Sequence, residues 1–173
     1  MSDYAARSAI ARMNLREVAV APHYTGFASD LQMLAAANQQ QAEAQFMERR
    51  AELCMAYGLS PVAQTKPFAF SNGIAVIPVH GSLINRFGYS WGYVTGYNFI
   101  RQQTAQAGMD PDVLAIVYDH NTFGGEAAGC FECSADIAKL ANGKPTMAVV
   151  DSNSYSAGDR KSTRLNSSHD QRS

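Results

Sequence analysis

The stretch VLAIVYDHNTFGGEAAGCFECSADIAKLANGKPTMAVVDSNSYSAG, residues 113–158, decides the fold. Its two apolar runs, Val113–Asp119 and Thr146–Asp151, lack the alternation of a half-exposed strand, and a helical pattern over Glu126–Ala141 separates them. Short apolar runs of this kind indicate parallel strands that are buried on both faces of a sheet. The sequence therefore predicts a strand–helix–strand unit here.

A glycine loop is predicted after the first of these strands, over Asn121–Gly125, and a tight turn presenting Ser156 is predicted after the second. In parallel sheets, ligands bind beyond the carboxyl ends of the strands, where both segments would lie. Ser156 would then be a nucleophile, and backbone N–H groups of Gly124 or Gly125 would form an oxyanion hole. The alternative for both segments is an ordinary glycine or polar turn.

Composition and charge limit the class of protein. The chain has 173 residues, 46% hydrophobic and 17% charged, which suits one domain with a sizeable core. Its net charge of -1 argues against a nucleic-acid-binding face. No apolar run approaches the ~20 residues of a membrane span, and the first residues lack the apolar segment of a signal peptide. Three cysteines fit a reducing compartment, so we expect a cytoplasmic protein.

The N-terminal part, residues 1–70, is interpreted as an arm, a helix and a linker. Ser29 and Gln32 have the spacing of a capping box, and Gly58 fits a helix stop. These signals predict one helix over Ser29–Tyr57.

The range 71–158 is interpreted as the main domain. It begins with a strand over Gly73–His80, and Pro78 is expected at a sheet edge or a bulge because it has no backbone N–H. A helix from Thr95 to about Ala107 follows. Together with the strands after it, this predicts an α/β fold of two βαβ units with a mostly parallel sheet.

The cysteine and histidine side chains have simpler interpretations. Cys130, Cys133 and Ile137 fall on one helical face, which favours core positions, and a single cysteine pair lacks the four ligands of a zinc site. No metal or cofactor site is therefore predicted. His80 has no readable partner, and His120 is expected to line the cleft beside the glycine loop, so a Ser–His–Asp triad is not indicated.

The last residues, 159–173, break the pattern. They contain one aliphatic side chain, Leu165, in a polar stretch, and so offer no apolar face to pack on a sheet. We interpret them as a non-native tail and expect an incomplete domain interrupted at about Gly158.

Four segments in this order resemble the S49 peptidase family, which includes signal peptide peptidase and the phage capsid assembly proteases of the protein C type. They are Asn72–Gly81, Thr95–Asn98, Asp119–Gly129 and Ser154–Gly158. The third is similar to the family's Asp-x-x-Ser/Thr-Pro-Gly-Gly loop, with Phe123 in the place of the proline. The fourth is similar to the segment that holds the nucleophile.

The resemblance implies a ClpP/crotonase-type fold and a Ser–Lys dyad, with Ser156 as nucleophile and Gly124 or Gly125 as oxyanion donor. The family's base is a lysine several tens of residues beyond the serine, and no lysine of this chain matches it. We therefore expect the chain as it stands to be inactive. In a completed protein, we expect Gly125→Val to abolish turnover and to leave the fold largely intact.

The function implied by the resemblance is that of a serine endopeptidase without cofactor, which cuts scaffold or portal proteins during phage head assembly as a homo-oligomer. One alternative is a non-catalytic capsid assembly or scaffolding module that associates through the predicted helix Ser29–Tyr57. Another is a crotonase-like acyl-CoA enzyme in which the glycine loop polarises a thioester.

Overall fold

The computed structural model describes residues 11, 18–21, 23–37, 39–58 and 66–154, with only the backbone described at 19, 39, 42, 43 and 151–154. It contains four helices and six strands within these residues. The strands are β1 (Val18–Val20), β2 (Ala69–Ser71), β3 (Ile74–Ile84), β4 (Val94–Gly96), β5 (Ala115–Glu126) and β6 (Thr146–Ser154). The helices are α1 (Phe27–Ala36), α2 (Gln39–Ala56), α3 (Tyr97–Met109) and α4 (Cys130–Leu140). The predicted α/β class is confirmed.

All six strands form one mixed sheet around β3 and β5. β3, β5 and β6 are parallel neighbours joined through α3 and α4, so the two predicted βαβ units are confirmed. β4 also runs parallel to β3, whereas β2 pairs antiparallel with β3 and β1 pairs antiparallel with β5. The architecture is consistent with the predicted mostly parallel sheet.

The central strands are buried on both faces, as their unbroken apolar runs indicate. On one face, Ile77 and Tyr118 belong to a core cluster that α3 and α4 cover with side chains such as Ile137. On the other face, Val117 packs in a cluster with Leu53 of α2. Helices on both faces explain why β3 and β5 lack the alternation of a half-exposed strand. The predicted burial on both faces is wrong for β6, where Met147 is 52% and Val150 is 48% exposed.

The single predicted helix Ser29–Tyr57 is wrong, because two helices occupy this part of the chain. The backbone at Ala37 is extended, with ψ of 139°, and separates α1 from α2. α1 begins after Gly26, and the Ser29 hydroxyl donates to the Gly26 carbonyl at 2.7 Å instead of capping a backbone N–H. The predicted stop is confirmed, since Gly58 follows α2 with a left-handed φ of 65°.

Several predicted boundaries move because strands extend further than their apolar runs. β2 lies at the end of the predicted linker, and β3 continues four residues past His80 to Ile84. Thr95 lies in β4 and its hydroxyl donates to the His80 carbonyl at 2.7 Å, so the helix begins at Tyr97 instead. The helix predicted from Glu126 begins at Cys130, because β5 takes Glu126.

Pro78 lies inside β3, where β5 is its neighbour on one side and neither β2 nor β4 is paired with it on the other. β2 pairs with residues 74–76 of β3 and β4 pairs with residues 82–84, so neither strand reaches Pro78. The register between β3 and β5 also shifts just after it, between His80 and Ser82. The expectation of an edge or bulge position is therefore borne out in this local form.

Candidate functional site

The three parallel strands β3, β5 and β6 end at the same edge of the sheet. β3 ends at Ile84, β5 at Glu126 and β6 at Ser154. In the register between β5 and β6, Thr122 lies opposite Ser154. The strand that leads to Ser156 therefore ends beside the predicted oxyanion glycines. Ser156 lies outside the described residues, so its catalytic role stays a prediction.

The predicted glycine loop is wrong, because residues 121–125 are part of β5. Gly124 and Gly125 are both buried, and each pairs with β3 on one side and with β1 on the other. Two neighbouring strands thus hold the segment in an extended conformation. The partner β1 lies about a hundred residues earlier in the chain, so the sequence around the glycines does not indicate that they pair with it.

Gly125 is required by the close approach of β5 to β3. A Cβ at this position would stand 2.1 Å from the carbonyl oxygen of Leu83, which is backbone and has no rotamer by which to move away. The expectation that Gly125→Val leaves the fold intact is therefore wrong. Whether the Gly125 N–H is an oxyanion donor is a separate question that this packing leaves as a prediction.

Thr122 fixes the backbone before the glycines, and the sequence analysis did not single it out. Its buried hydroxyl donates to the Gly81 carbonyl at 2.5 Å and accepts the Gly124 N–H at 3.1 Å. Gly124 has a φ of 103°, which a residue with a Cβ rarely adopts. A threonine two residues before a glycine is the local signal that could have indicated this hydroxyl-to-backbone contact. The Gly124 N–H is therefore engaged by a side chain of the same strand.

The Gly125 N–H faces β1. The Ala21 N–H donates to the Phe123 carbonyl at 2.8 Å, which makes these opposite residues a hydrogen-bonded pair. Hydrogen-bonded and non-hydrogen-bonded pairs alternate along an antiparallel ladder, so the next hydrogen-bonded pair is Ala19 with Gly125. The group opposite the Gly125 N–H is accordingly the Ala19 carbonyl.

The segment after β1 contacts the carboxyl-terminal parts of β3 and β5. The Tyr24 ring stacks on Phe123 with centroids 4.5 Å apart, and the His23 ring meets Phe123 edge-on. Buried Asp30 of α1 accepts hydrogen bonds from the Tyr24 hydroxyl and, at 2.5 Å, from the Ser82 hydroxyl of β3. Partial burial and the bond to Asp30 raise the pKa of Tyr24, so the phenol stays protonated and donates. These contacts fix the N-terminal segment to the ends of β3 and β5.

His80 has a partner that the sequence analysis missed. Its Nε2 lies 2.7 Å from Oδ2 of Asp119, and the Tyr57 hydroxyl donates to the other carboxylate oxygen at 3.1 Å. Asp119 precedes Gly124 by five residues, a distance of roughly 16 Å along a strand. The His80–Asp119 pair is therefore too far from Gly124 to form a hydrogen bond there. The hydrogen bond from Tyr57 to Asp119 connects the segment just after α2 to the sheet. His120 is fully buried and does not line an open cleft.

Lys66 and Lys144 lie near the opposite end of β5, beside the turn that precedes it. Lys66 Nζ pairs with the carboxylates of Asp110 at 2.5 Å and Asp112 at 2.9 Å. Lys144 Nζ donates to the backbone carbonyls of Asp110 and Ala107. β5 has 12 residues, which at about 3.3 Å each span roughly 40 Å. Neither lysine is placed to act as a base at the carboxyl ends of the strands.

The cysteines of α4 are core residues, as predicted. Cys130 and Cys133 are buried in one cluster with Ile137, and neither forms a disulfide bond within the described residues. The Cys133 thiol lies 3.6 Å from the Tyr97 carbonyl. Within the described residues, no three His, Cys, Asp or Glu side chains come together as metal ligands.

These features define an α/β protein whose glycines and buried polar residues gather at the carboxyl ends of parallel strands. Two phage proteins are similar to it in sequence. Capsid assembly protease C of Escherichia phage lambda is 40% identical over 97 residues, which are 55% of this chain and 22% of that protein. Head-tail preconnector protein GP5 of Enterobacteria phage P21 is 39% identical over 88 residues, which are 50% of this chain and 18% of that protein.

The chain thus spans about a fifth of the length of the curated relatives it matches. No family model matches it. None of the helices in the described part of the chain combines the length and the apolarity that crossing a membrane requires.

Proposed function

We propose that this chain is part of a serine endopeptidase of phage capsid maturation, related to the S49 peptidases. The observation that carries the proposal is the register of β6 on β5, which brings Ser154 opposite Thr122. One residue, Tyr155, lies between Ser154 and Ser156, so at most about 7 Å of extended chain separates the two serines. This short connection supports the proposal that Ser156 acts beside Gly124 and Gly125. The name of the lambda relative, capsid assembly protease C, supports the same function.

In the proposed reaction, the Ser156 oxygen attacks a peptide carbonyl and a neutral lysine takes the serine proton. The proposed donor to the tetrahedral oxyanion is the backbone N–H of Gly125 once the Ala19 carbonyl opposite it has moved away, whereas the Gly124 N–H is held by the Thr122 hydroxyl of the same strand. The resemblance to the S49 family implies that this lysine lies several tens of residues beyond Ser156, and Lys66 and Lys144 are engaged at the far end of β5. Capsid proteins are the proposed substrates, and the working form is a homo-oligomer.

A hybrid protein tests this proposal. It joins residues 1–158 of this chain to the downstream sequence of the lambda capsid assembly protease C, and its substrate is denatured, fluorescently quenched casein. We expect the hybrid to cleave casein and Ser156→Ala to reduce the rate by on the order of 10⁴-fold or more, because a serine–base unit fails when one member is lost. Ser154→Ala is the matched control and should keep the activity.

Two results would contradict the proposal. If the folded hybrid cleaves nothing, the chain is better described as the non-catalytic assembly module. If Ser156→Ala and Ser154→Ala cleave as fast as the parent hybrid, the nucleophile is another residue.

A further inference from the structure

β1 is a three-residue strand on the outer edge of β5, next to the two glycines. It runs antiparallel to β5, with Val18 opposite Glu126 and Val20 opposite Gly124. β6 takes the preceding part of the same edge, as far as Thr122. β1 therefore occupies the part of the β5 edge that follows β6 and adjoins the proposed oxyanion donor.

The backbone of β1 has the position that an extended peptide would need at this edge. A peptide that adds a strand to a sheet bonds through main-chain N–H and C=O groups, and its alternate side chains fill the flanking sites. The carbonyl opposite the Gly125 N–H belongs to Ala19, as the ladder alternation indicates. β1 and a second strand would use the same groups of β5, so only one of them can bind at a time.

β1 is held less firmly than the residues that follow it. Val18 is 42% exposed, and a strand this short makes few ladder hydrogen bonds. Tyr24, by contrast, stacks on Phe123 and donates to buried Asp30. The strand can therefore separate from the edge while α1 keeps the segment attached.

We propose that the β5 edge at Phe123–Glu126 binds an extended, small-apolar segment of the substrate, and that β1 occupies this site in cis until the substrate displaces it. The inference rests on the proposed function, because it exchanges the Ala19 carbonyl for a substrate carbonyl at the Gly125 N–H. Val20, the partly buried side chain of β1 opposite Gly124, supports a small apolar residue at this position of the site.

The probe for the test is a fluorescein-labelled peptide with the sequence of residues 16–24, REVAVAPHY. Ala19→Pro removes a backbone N–H that faces β5, whereas Val18→Pro, the matched control, removes one that faces away from β5. By fluorescence anisotropy on the 173-residue chain, we expect the peptide to bind Ala19→Pro about tenfold more tightly than the parent, because a larger fraction of the site is vacant. Val18→Pro should bind like the parent. Equal binding to Ala19→Pro and the parent, or no binding to either, would overturn the proposal.

Hydrogen exchange on the unmodified chain gives a second test that does not depend on the folding of a variant. At millimolar peptide, the Ala21 amide should lose its protection because its acceptor, the Phe123 carbonyl, is taken by the peptide. The Gly125 amide should stay protected because the peptide replaces β1. Retained protection at Ala21 would overturn the displacement.

Neither measurement requires turnover, so the two proposals fail separately. If the peptide displaces β1 but the hybrid does not cleave casein, the strand-binding site is supported and the peptidase proposal is rejected. If the hybrid cleaves casein but the peptide does not displace β1, the peptidase proposal is supported and the proposal that β1 competes with substrate is rejected.

Discussion

Gly125→Ala is the substitution that most directly tests the packing of β5 against β3. The added Cβ would stand 2.1 Å from the carbonyl oxygen and 2.5 Å from the nitrogen of Leu83. Both atoms are backbone, so the contact is relieved only if the two strands move apart. Reaching the 3.0 Å limit of real Cβ contacts from 2.1 Å requires a displacement of 0.9 Å.

This displacement sets the expected size of the effect. A ladder hydrogen bond of about 2.9 Å would lengthen to roughly 3.8 Å, which is beyond hydrogen-bonding distance. Leaving the groups of two buried bonds unsatisfied, at about 1–3 kcal/mol each, lowers the free energy of unfolding by roughly 2–6 kcal/mol. That is a large part of the roughly 5–15 kcal/mol by which folded domains are stable.

Urea unfolding of the 173-residue chain, followed by circular dichroism, measures this loss. With an m-value of about 2 kcal/mol/M, a loss near 4 kcal/mol lowers the midpoint by roughly 2 M. Gly88→Ala is the matched control, because a Cβ there meets nothing within 4 Å, and its midpoint should stay within about 0.5 M of the parent. Equal midpoints for Gly125→Ala and Gly88→Ala would refute the close approach of the strands.

Three further substitutions have expected outcomes. The hydrogen bond from Lys66 holds the pKa of the Asp110 carboxyl below its ordinary 3.8, so the stability that Lys66→Met removes at pH 7 should vanish as the pH falls through that lowered pKa. Tyr57→Phe removes the hydroxyl that donates to Asp119 and should lower the free energy of unfolding by about 0.5–1.5 kcal/mol in urea. Thr122→Val leaves two buried backbone groups without their hydroxyl partner and should cost about 1–3 kcal/mol, most of which Thr122→Ser restores.

Each of these three has a control. Lys139→Met removes an exposed charge near the end of α4 and should not reproduce the acid dependence of Lys66→Met. Tyr89→Phe changes a ring that is 40% exposed and should leave the unfolding midpoint unchanged. The assignments are contradicted if Lys66→Met stays less stable than the parent by the same amount at every pH, if Tyr57→Phe matches Tyr89→Phe, or if Thr122→Ser is no better than Thr122→Val.

The βαβ units were predictable because their signal is local. The apolar run of β5 and the helical pattern after it follow from burial, and burial acts on each residue of the segment. The run of β6 predicted a strand correctly but not its burial, because Met147 and Val150 are about half exposed. The same holds for Cys130, Cys133 and Ile137, whose spacing fixes one face of α4. The stop at Gly58 was predictable because a left-handed φ favours glycine.

The features that were predicted wrongly or missed depend on pairing between residues that are far apart in the sequence. Gly124 and Gly125 have the composition of a turn, and β1 and β3 nonetheless hold them in a strand. His80 and Asp119 are 39 residues apart, and only the parallel register of β3 and β5 brings them together. The break at Ala37 has no glycine or proline to mark it.

Ser156 is the proposed nucleophile of a peptidase site at the carboxyl ends of β5 and β6. The most direct measurement is to treat the hybrid protein with a fluorophosphonate and to map the labelled residue by mass spectrometry. We expect the label on Ser156, and we expect it to be lost after Ser156→Ala, whereas Ser154→Ala is still labelled. Labelling of another serine in the folded hybrid, or no labelling at all, would contradict it.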